Sequence, residues 1–587
     1  MFHRRIGIGV VSLSLLASLL IACQSDPANR ADQSAALESA IEINQLGFAP
    51  TAHKEALVPA GVGDRFELVD VDTQRVVFSG TLSKAERWPV SGQTVRRADF
   101  SEYQRPGRYR LRVAGELESI VFPIEEGVYA GLNDAAVKAY YFNRASTALE
   151  QSHAGVYARP AGHPDDQVMV HQSAASEERP EGTVISSPKG WYDAGDYNKY
   201  IVNSGISTYT LLAAYEHFPQ YYRDRDLNIP ESGDSVPDLL DEAMWNLDWM
   251  LTMQDPNDGG VYHKLTTLRF AGKVMPEDAT AQRYVVQKGT SAALNFAAVM
   301  ATASRVYGDY SDAFPGFSER AMAAAELAWA WAQAHPDVTY RNPSDVATGE
   351  YGDQTLTDEF VWAAVELYLT SGDQVYLESV DLAAAEVEVP SWGSAVGQPW
   401  LSLLHFSDEL PAELKALAEG KVTELANALT QEWQQSASGV PMRPQDFVWG
   451  SNGVAMNSAM MLLSGYQLTG DDRQLAAAQS LLDYVLGRNP TGFSYVTGEG
   501  VKTPMHIHHR PSAADGIDEP VPGFLAGGPH SGQQDLDDCP VAYPSDQPAR
   551  SYLDHWCSYS TNEITINWNA PLVYVTGALE VIYQQDH

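Results

Sequence analysis

The sequence predicts a mainly α fold, a helical α/α toroid preceded by a small all-β sandwich, and three observations predict it. Residues 41 to about 124 alternate apolar and polar side chains in short runs broken by turn residues. From about residue 128 the apolar spacing takes the helical period, in stretches near 129–149, 203–217, 236–254, 289–306, 318–334, 358–371, 411–434, 452–468, 472–486 and 563–583. Long loops rich in glycine, proline and aromatic residues join these stretches, and loops of that kind usually carry function.

Of 587 residues, 44% are apolar and 10% aromatic, a globular composition. Seventy-six acids against 38 bases give a net charge of −38. That excludes nucleic acid and anionic membrane surfaces as partners, since both need basic patches.

Met1-Phe2-His3-Arg4-Arg5 is basic and Ile6 to Ala22 is uncharged, the two parts of a secretory signal over residues 1–22. Small residues before Cys23 resemble the lipobox of bacterial lipoproteins. The expectation is a lipid on Cys23 holding the chain to the outer membrane of a bacterial cell envelope, on its periplasmic or outer surface. A polar tether then spans 23–40, and the protein is expected to be a monomer; plain secretion is the alternative.

In the β-rich segment, 41–125, Ile41-Glu42-Ile43-Asn44-Gln45, Phe66 to Val71 and Arg108 to Val113 alternate, and Gly61, Gly63, Gly80 and Pro106-Gly107 mark turns. No cluster of catalytic side chains falls there. Chemistry is therefore expected in the helical domain, 126–587, where Val236-Pro237 after Asp234-Ser235 marks one helix start.

Three constellations stand out in that domain. In Gly190-Trp191-Tyr192-Asp193-Ala194-Gly195-Asp196-Tyr197-Asn198-Lys199-Tyr200 two carboxylates lie three residues apart on a turn. Glycine lets that turn bend and approach a ligand. Trp191, Tyr192, Tyr197 and Tyr200 offer flat faces suited to a sugar ring. Such a layout fits a general base holding water against a glycoside, or else a solvated surface turn. His506, His508, His509 and Arg510 form a second group. It lacks the carboxylate or thiolate company of a metal site and fits contacts of His508 and Arg510 to sugar hydroxyls better, or else a purely structural network. Third, Glu563 opens the last apolar stretch near Trp556, Tyr559 and Trp568, an aromatic setting that raises a carboxyl toward the range of a general acid. A helix cap is the plainer reading.

After Cys23 only Cys539 and Cys557 remain, 18 residues apart. In an oxidising compartment they can form a disulfide, worth about 3 kcal/mol in the chain-entropy model, or stay as two buried thiols.

These blocks together resemble the family 9 glycoside hydrolases, the inverting cellulases, in the subgroup with an N-terminal immunoglobulin-like domain. Ile43-Asn44-Gln45-Leu46-Gly47-Phe48 with Pro50 resembles the opening of the accessory domain, and Asp193-Ala194-Gly195-Asp196 the family's DAGD element. Ser494 to Arg510 resembles its histidine-arginine signature; Tyr552, Asp554, Tyr559, Glu563, Thr565 and Asn569-Ala570 keep the spacing of its acid signature. Asp358 to Ala364 and Trp449 to Asn452 are secondary matches.

The resemblance implies an (α/α)6 toroid behind an immunoglobulin-like sandwich, and endo-acting, inverting hydrolysis of β-1,4-glucosidic bonds. Glu563 would be the acid and Asp196 the base, assisted by Asp193, with carboxyls roughly 6.5–9.5 Å apart. His508, Arg510, Trp449, Trp568, Tyr559 and His263 would contact the β-linked oligo- or polysaccharide. No cofactor is required. Some relatives bind structural calcium through acids resembling Asp358 and Glu359, but the stretch where a further acid is expected reads Pro390-Ser391-Trp392-Gly393 and speaks against calcium here. The chain also departs from the family at Gly527-Gly528-Pro529-His530 and in an elongated stretch, about 531–550, that could narrow the groove. The competing expectations are an exo-acting β-glucosidase or β-glucosaminidase on short oligosaccharides, and a non-catalytic glycan-binding lipoprotein.

Overall fold

The computed structural model describes residues 41–114 and 117–585. The signal and tether expected over 1–40, with Cys23, lie outside the described residues.

The N-terminal strands are β1 (Glu55–Pro59), β2 (Arg65–Asp70), β3 (Val76–Thr81), β4 (Glu86–Arg87), β5 (Thr94–Asp99), β6 (Gly107–Val113), β7 (Leu117–Glu118) and β8 (Phe122–Ile124). They form two sheets, β1-β5-β4 and β3-β2-β6-β7, with β8 also on β6. The period-2 pattern explains the layering. On β6, Tyr109, Leu111 and Val113 turn inward, while Arg110 and Arg112 turn outward to Glu118 and Glu67. Phe48, Phe100 and Phe122 meet in the core with ring centres 5.4–5.7 Å apart.

The helical domain closes a ring of six inner helices: α2 (Ile201–His217), α4 (Thr290–Tyr307), α6 (Thr357–Ser371), α7 (Gln398–His405), α9 (Ser451–Thr469) and α11 (Ile566–Gln585). Each packs on the next, and α11 returns to α2. Outside them lie α1 (Ala130–Phe142), α3 (Asp238–Thr252), α5 (Phe317–Ala334), α8 (Ala412–Gln435) and α10 (Asp472–Val485). The two layers differ as their sequences dictate. Nearly every residue of α4 is buried, and a helix apolar all round needs neighbours on every side. By contrast α8 buries only one stripe, Ala418, Val422, Ala426, Leu429 and Thr430.

Two expectations change. The first helix stops at Phe142 rather than near 149, and the final one starts at Ile566, so Glu563 precedes it. A small mixed sheet, unmarked in the sequence, joins β9 (Val168–Val170), β10 (Val184–Ile185), β11 (Lys199–Tyr200), β12 (Lys264–Thr266) and β13 (Tyr284–Val285) in the order β10-β9-β13-β12-β11. Since β11 runs directly into α2, the 193–198 turn is pinned between this sheet and the inner ring.

The opening motif of the sandwich forms the domain junction. Asn44 Nδ2 donates to Asp483 Oδ1 on α10 at 2.8 Å. Gln45 Oε1 accepts the Val501 and Lys502 N–H groups, each at 2.8 Å, so it braces the loop leading to His508.

Candidate active site

The 193–200 turn and the Glu563 segment meet through backbone. Glu563 pairs with His508 in a strand-like bridge, and its carbonyl accepts Gly527 N–H at 2.8 Å. Gly195 lies against that bridge: a Cβ there would fall 2.0 Å from the His508 carbonyl oxygen. Only glycine allows the two segments to approach so closely. Arg510 locks the junction, donating from Nη1 to Gly195 O at 2.6 Å and from Nε to Ala271 O at 2.8 Å.

The carboxyls on the turn are rich in donors. Asp193 is 1% exposed; its Oδ1 accepts Asn203 Nδ2 at 2.5 Å and its Oδ2 accepts the Tyr351 hydroxyl at 2.8 Å. Burial and the charge of Asp196 push it up to about 8, against the pull of those two donors. Asp196 Oδ2 accepts Asn198 Nδ2 at 2.5 Å and Tyr200 Oη at 3.2 Å. Burial raises Asp196 too, opposed by Arg510, Asn198 and Tyr200.

Glu563 is poorer in donors. Its Oε1 accepts Gly195 N–H at a long 3.3 Å. Burial and then the Asp196 charge hold its carboxyl well above the ordinary range, outweighing Arg510. Three acids therefore share one buried locus, with the proton favoured on the group that meets the fewest donors.

A row of aromatic rings borders this locus. Trp449, 42% exposed, lies 5.4 Å from Tyr559, which lies 6.1 Å from His508; His508 stacks on Trp556 at 4.3 Å. His508 Nδ1 bonds to the Trp556 carbonyl at 2.8 Å, so that nitrogen carries the hydrogen and Nε2 is an acceptor. Burial pushes the ring down to about 4, so it is neutral at pH 7.

Several expected sugar contacts sit deeper. Trp568 fills the space over Gly450 and Gly453, where a Cβ would fall 2.4 Å from its ring. His263 is fully buried, stacked on Tyr340 at 3.9 Å and bonded through Nε2 to Glu350 O. Trp191, Tyr192 and Tyr197 are correspondingly structural: their polar ends bond Glu242, His163 and the Val274 carbonyl, and the rings are at most 4% exposed. They hold the turn rather than present a face. Arg510 directs two donors to main-chain carbonyls.

Tyr351 is the site residue that sequence reasoning missed. Besides bonding Asp193, its ring lies tilted against Tyr200 at 4.6 Å and meets Trp392 edge-on at 4.9 Å. Its φ of 48° is left-handed, strained for a tyrosine and consistent with a functional constraint. No local pattern announces it.

Among the described residues no group of three His, Cys, Asp or Glu side chains is arranged to hold a metal. The three neighbouring acids Asp353, Asp358 and Glu359 face one another, and Glu359 is driven well above its usual range by burial and by its contacts with the other two, so that a proton is shared among them. Their oxygens suit calcium chemically, but Asp358 Oδ2 is engaged by Ala395 N–H at 2.7 Å, from the loop that lacks the expected acid.

Residues 129–576 match the family described as Glycosyl hydrolase family 9, and residues 36–118 match the cellulase N-terminal ig-like domain. A xyloglucan-specific endo-beta-1,4-glucanase of Bacteroides ovatus is 44% identical, covering 98% of each chain. Endoglucanase D of Acetivibrio thermocellus is 32% identical over 92% of this chain and 83% of its own. A solved structure of a Bacteroides ovatus GH9 protein superposes with a TM-score of 0.87 at 43% identity, over 93% of this chain and 99% of that one.

Proposed function

The chain belongs to glycosyl hydrolase family 9, an inverting β-1,4-glucan hydrolase family, and from that premise we propose that it cuts the glucan backbone of xyloglucan from within the chain. The observation that carries this reading is the contrast between donor-rich Asp196 and donor-poor Glu563 on touching segments beside an aromatic row. The 44% identical relative, named xyloglucan-specific, supports the branched substrate.

Glu563, protonated, gives its proton to the glycosidic oxygen as the bond to the anomeric carbon breaks. Asp196, ionised, takes a proton from a water that attacks that carbon from the opposite face. Asp193 stays fixed by Asn203 and Tyr351 and steadies the water beside Asp196. One inversion results, and no cofactor enters any step.

The test is proton NMR of fresh xyloglucan digests, with viscosity followed against reducing ends. The expected result is the α-anomer first and a steep early viscosity fall. A β-anomer at the earliest times, or release of monomers alone, would overturn the proposal.

A further inference from the structure

The elongated stretch after Pro529 is clasped onto the acid segment. The Cys539–Cys557 disulfide, Cα atoms 5.2 Å apart, ties it to the chain that carries Tyr559 and ends at Glu563. Just before the clasp in sequence, Asp535 is fully buried. Its Oδ2 accepts Ser560 N–H at 2.6 Å and its Oδ1 accepts the Tyr543 hydroxyl, which also meets Ser558 Oγ at 2.8 Å. A buried carboxylate with donors on both oxygens fixes its surroundings, because losing it strands those donors. Here one donor, Ser560 N–H, belongs to the turn Tyr559–Asn562, and the other, the Tyr543 hydroxyl, comes from the loop itself.

The same stretch also reaches the aromatic row. Tyr559 Oη shares its one hydrogen between Gln534 O and Asp538 Oδ2, both at 3.4 Å. Ser531 N–H donates to Phe447 O at 3.0 Å, two residues before Trp449. One loop thus touches Tyr559 directly and holds the main chain two residues before its ring partner Trp449. Trp449 keeps 42% of its surface exposed, as a stacking platform must.

We propose that this disulfide-closed loop is a specificity element, with Asp535 as its positioning residue, holding Trp449 and Tyr559 as a shelf for glucan units away from the bond being cut. The inference rests on the glucan-hydrolase reading above and deepens it. The loop governs how tightly long or branched chains bind, while proton transfer stays with Glu563 and Asp196.

The test compares wild type with Asp535→Asn and with the double variant Cys539→Ser/Cys557→Ser. Kinetics are measured on soluble xyloglucan and on an aryl β-cellobioside. Binding of a xyloglucan oligosaccharide is read by tryptophan fluorescence with Glu563→Gln added to each protein. The expected result is a roughly five- to tenfold rise in KM for the polymer with kcat changed less than about twofold, and a matching loss of binding. Equal losses on both substrates, or an unchanged polymer KM in a variant that melts cooperatively, would overturn the shelf. If a variant fails to fold, wild type with its disulfide opened by reductant, verified by thiol labelling, decides on the same criteria. A wild type inactive on both substrates defeats the hydrolase reading, and the fluorescence comparison alone then decides the loop's role in binding.

Discussion

Asp196 and Glu563 are both buried carboxyls on segments that touch, yet the chain surrounds them differently. The Asp193–Asp196 side receives side-chain donors from Asn198, Tyr200, Asn203 and Tyr351. The Glu563 side receives a single long main-chain N–H bond. Donors favour the ionised form and their scarcity favours the proton. The difference teaches how one buried locus can suit the proposed base and acid together: what separates the two carboxyls is the number of donors, since burial alone raises both.

The sharpest way to break the comparison is Glu563→Gln, which keeps the shape and removes the proton. Its kcat should fall by roughly 10²–10⁴-fold on natural glucan, measured by reducing-end release. Stability should move the other way. A carboxyl raised in the fold contributes stability below its unfolded pKa and loses it as pH rises through the folded one. Glutamine has nothing to lose, so the variant's melting temperature should exceed wild type by a few °C at pH 8, on the order expected for about 1 kcal/mol, and by less at pH 4. Equal stability at both pH values would mean that Glu563 is not held protonated by its surroundings.

A smaller effect is expected at the contact between the two sides. In Gly195→Ala the new Cβ meets the His508 carbonyl oxygen, a main-chain atom with no rotamer to yield. The turn or the bridge must shift, and misplacement on the ångström scale costs about 10–10²-fold in kcat/KM. Circular dichroism should stay native-like. Near-normal kcat/KM would show that the close approach of the two segments is not needed for the reaction.

The long helices and the acid pair were legible because their signals are local. Helical periodicity marks α2, α4 and α9, and Asp193, Asp196 and Glu563 stand in short recognisable blocks that the fold brings together. What stayed hidden depends on tertiary approach. The sheet β9–β13 is built from strands of two or three residues, too short to show alternation. Helix α7 has only eight residues and begins with Gln398-Pro399. Aromatic residues beside an acid suggested a sugar platform, but sequence cannot say which way a ring points. Trp191 and Tyr192 turn inward, while the open ring belongs to Trp449. Cys539 and Cys557 left two readings open, and their proximity in space selects the disulfide.

Tyr351→Phe offers the subtlest comparison, because it removes one donor from the donor-rich side and leaves the ring in place. Asp193, already pushed up to about 8, loses part of the opposing pull and is protonated to still higher pH. If its charge steadies the water at Asp196, activity must fall earlier as pH drops, moving the acid limb of kcat/KM upward. The charge of Asp193 also helps to raise Glu563, so a more neutral Asp193 lets Glu563 ionise sooner and draws the alkaline limb downward. Both limbs close in, each by up to about one pH unit for the loss of one hydrogen bond to a charged group. A uniform drop in rate with both limbs unmoved would show that Tyr351 supports the turn mechanically, and that the donors around Asp193 do not tune the pair.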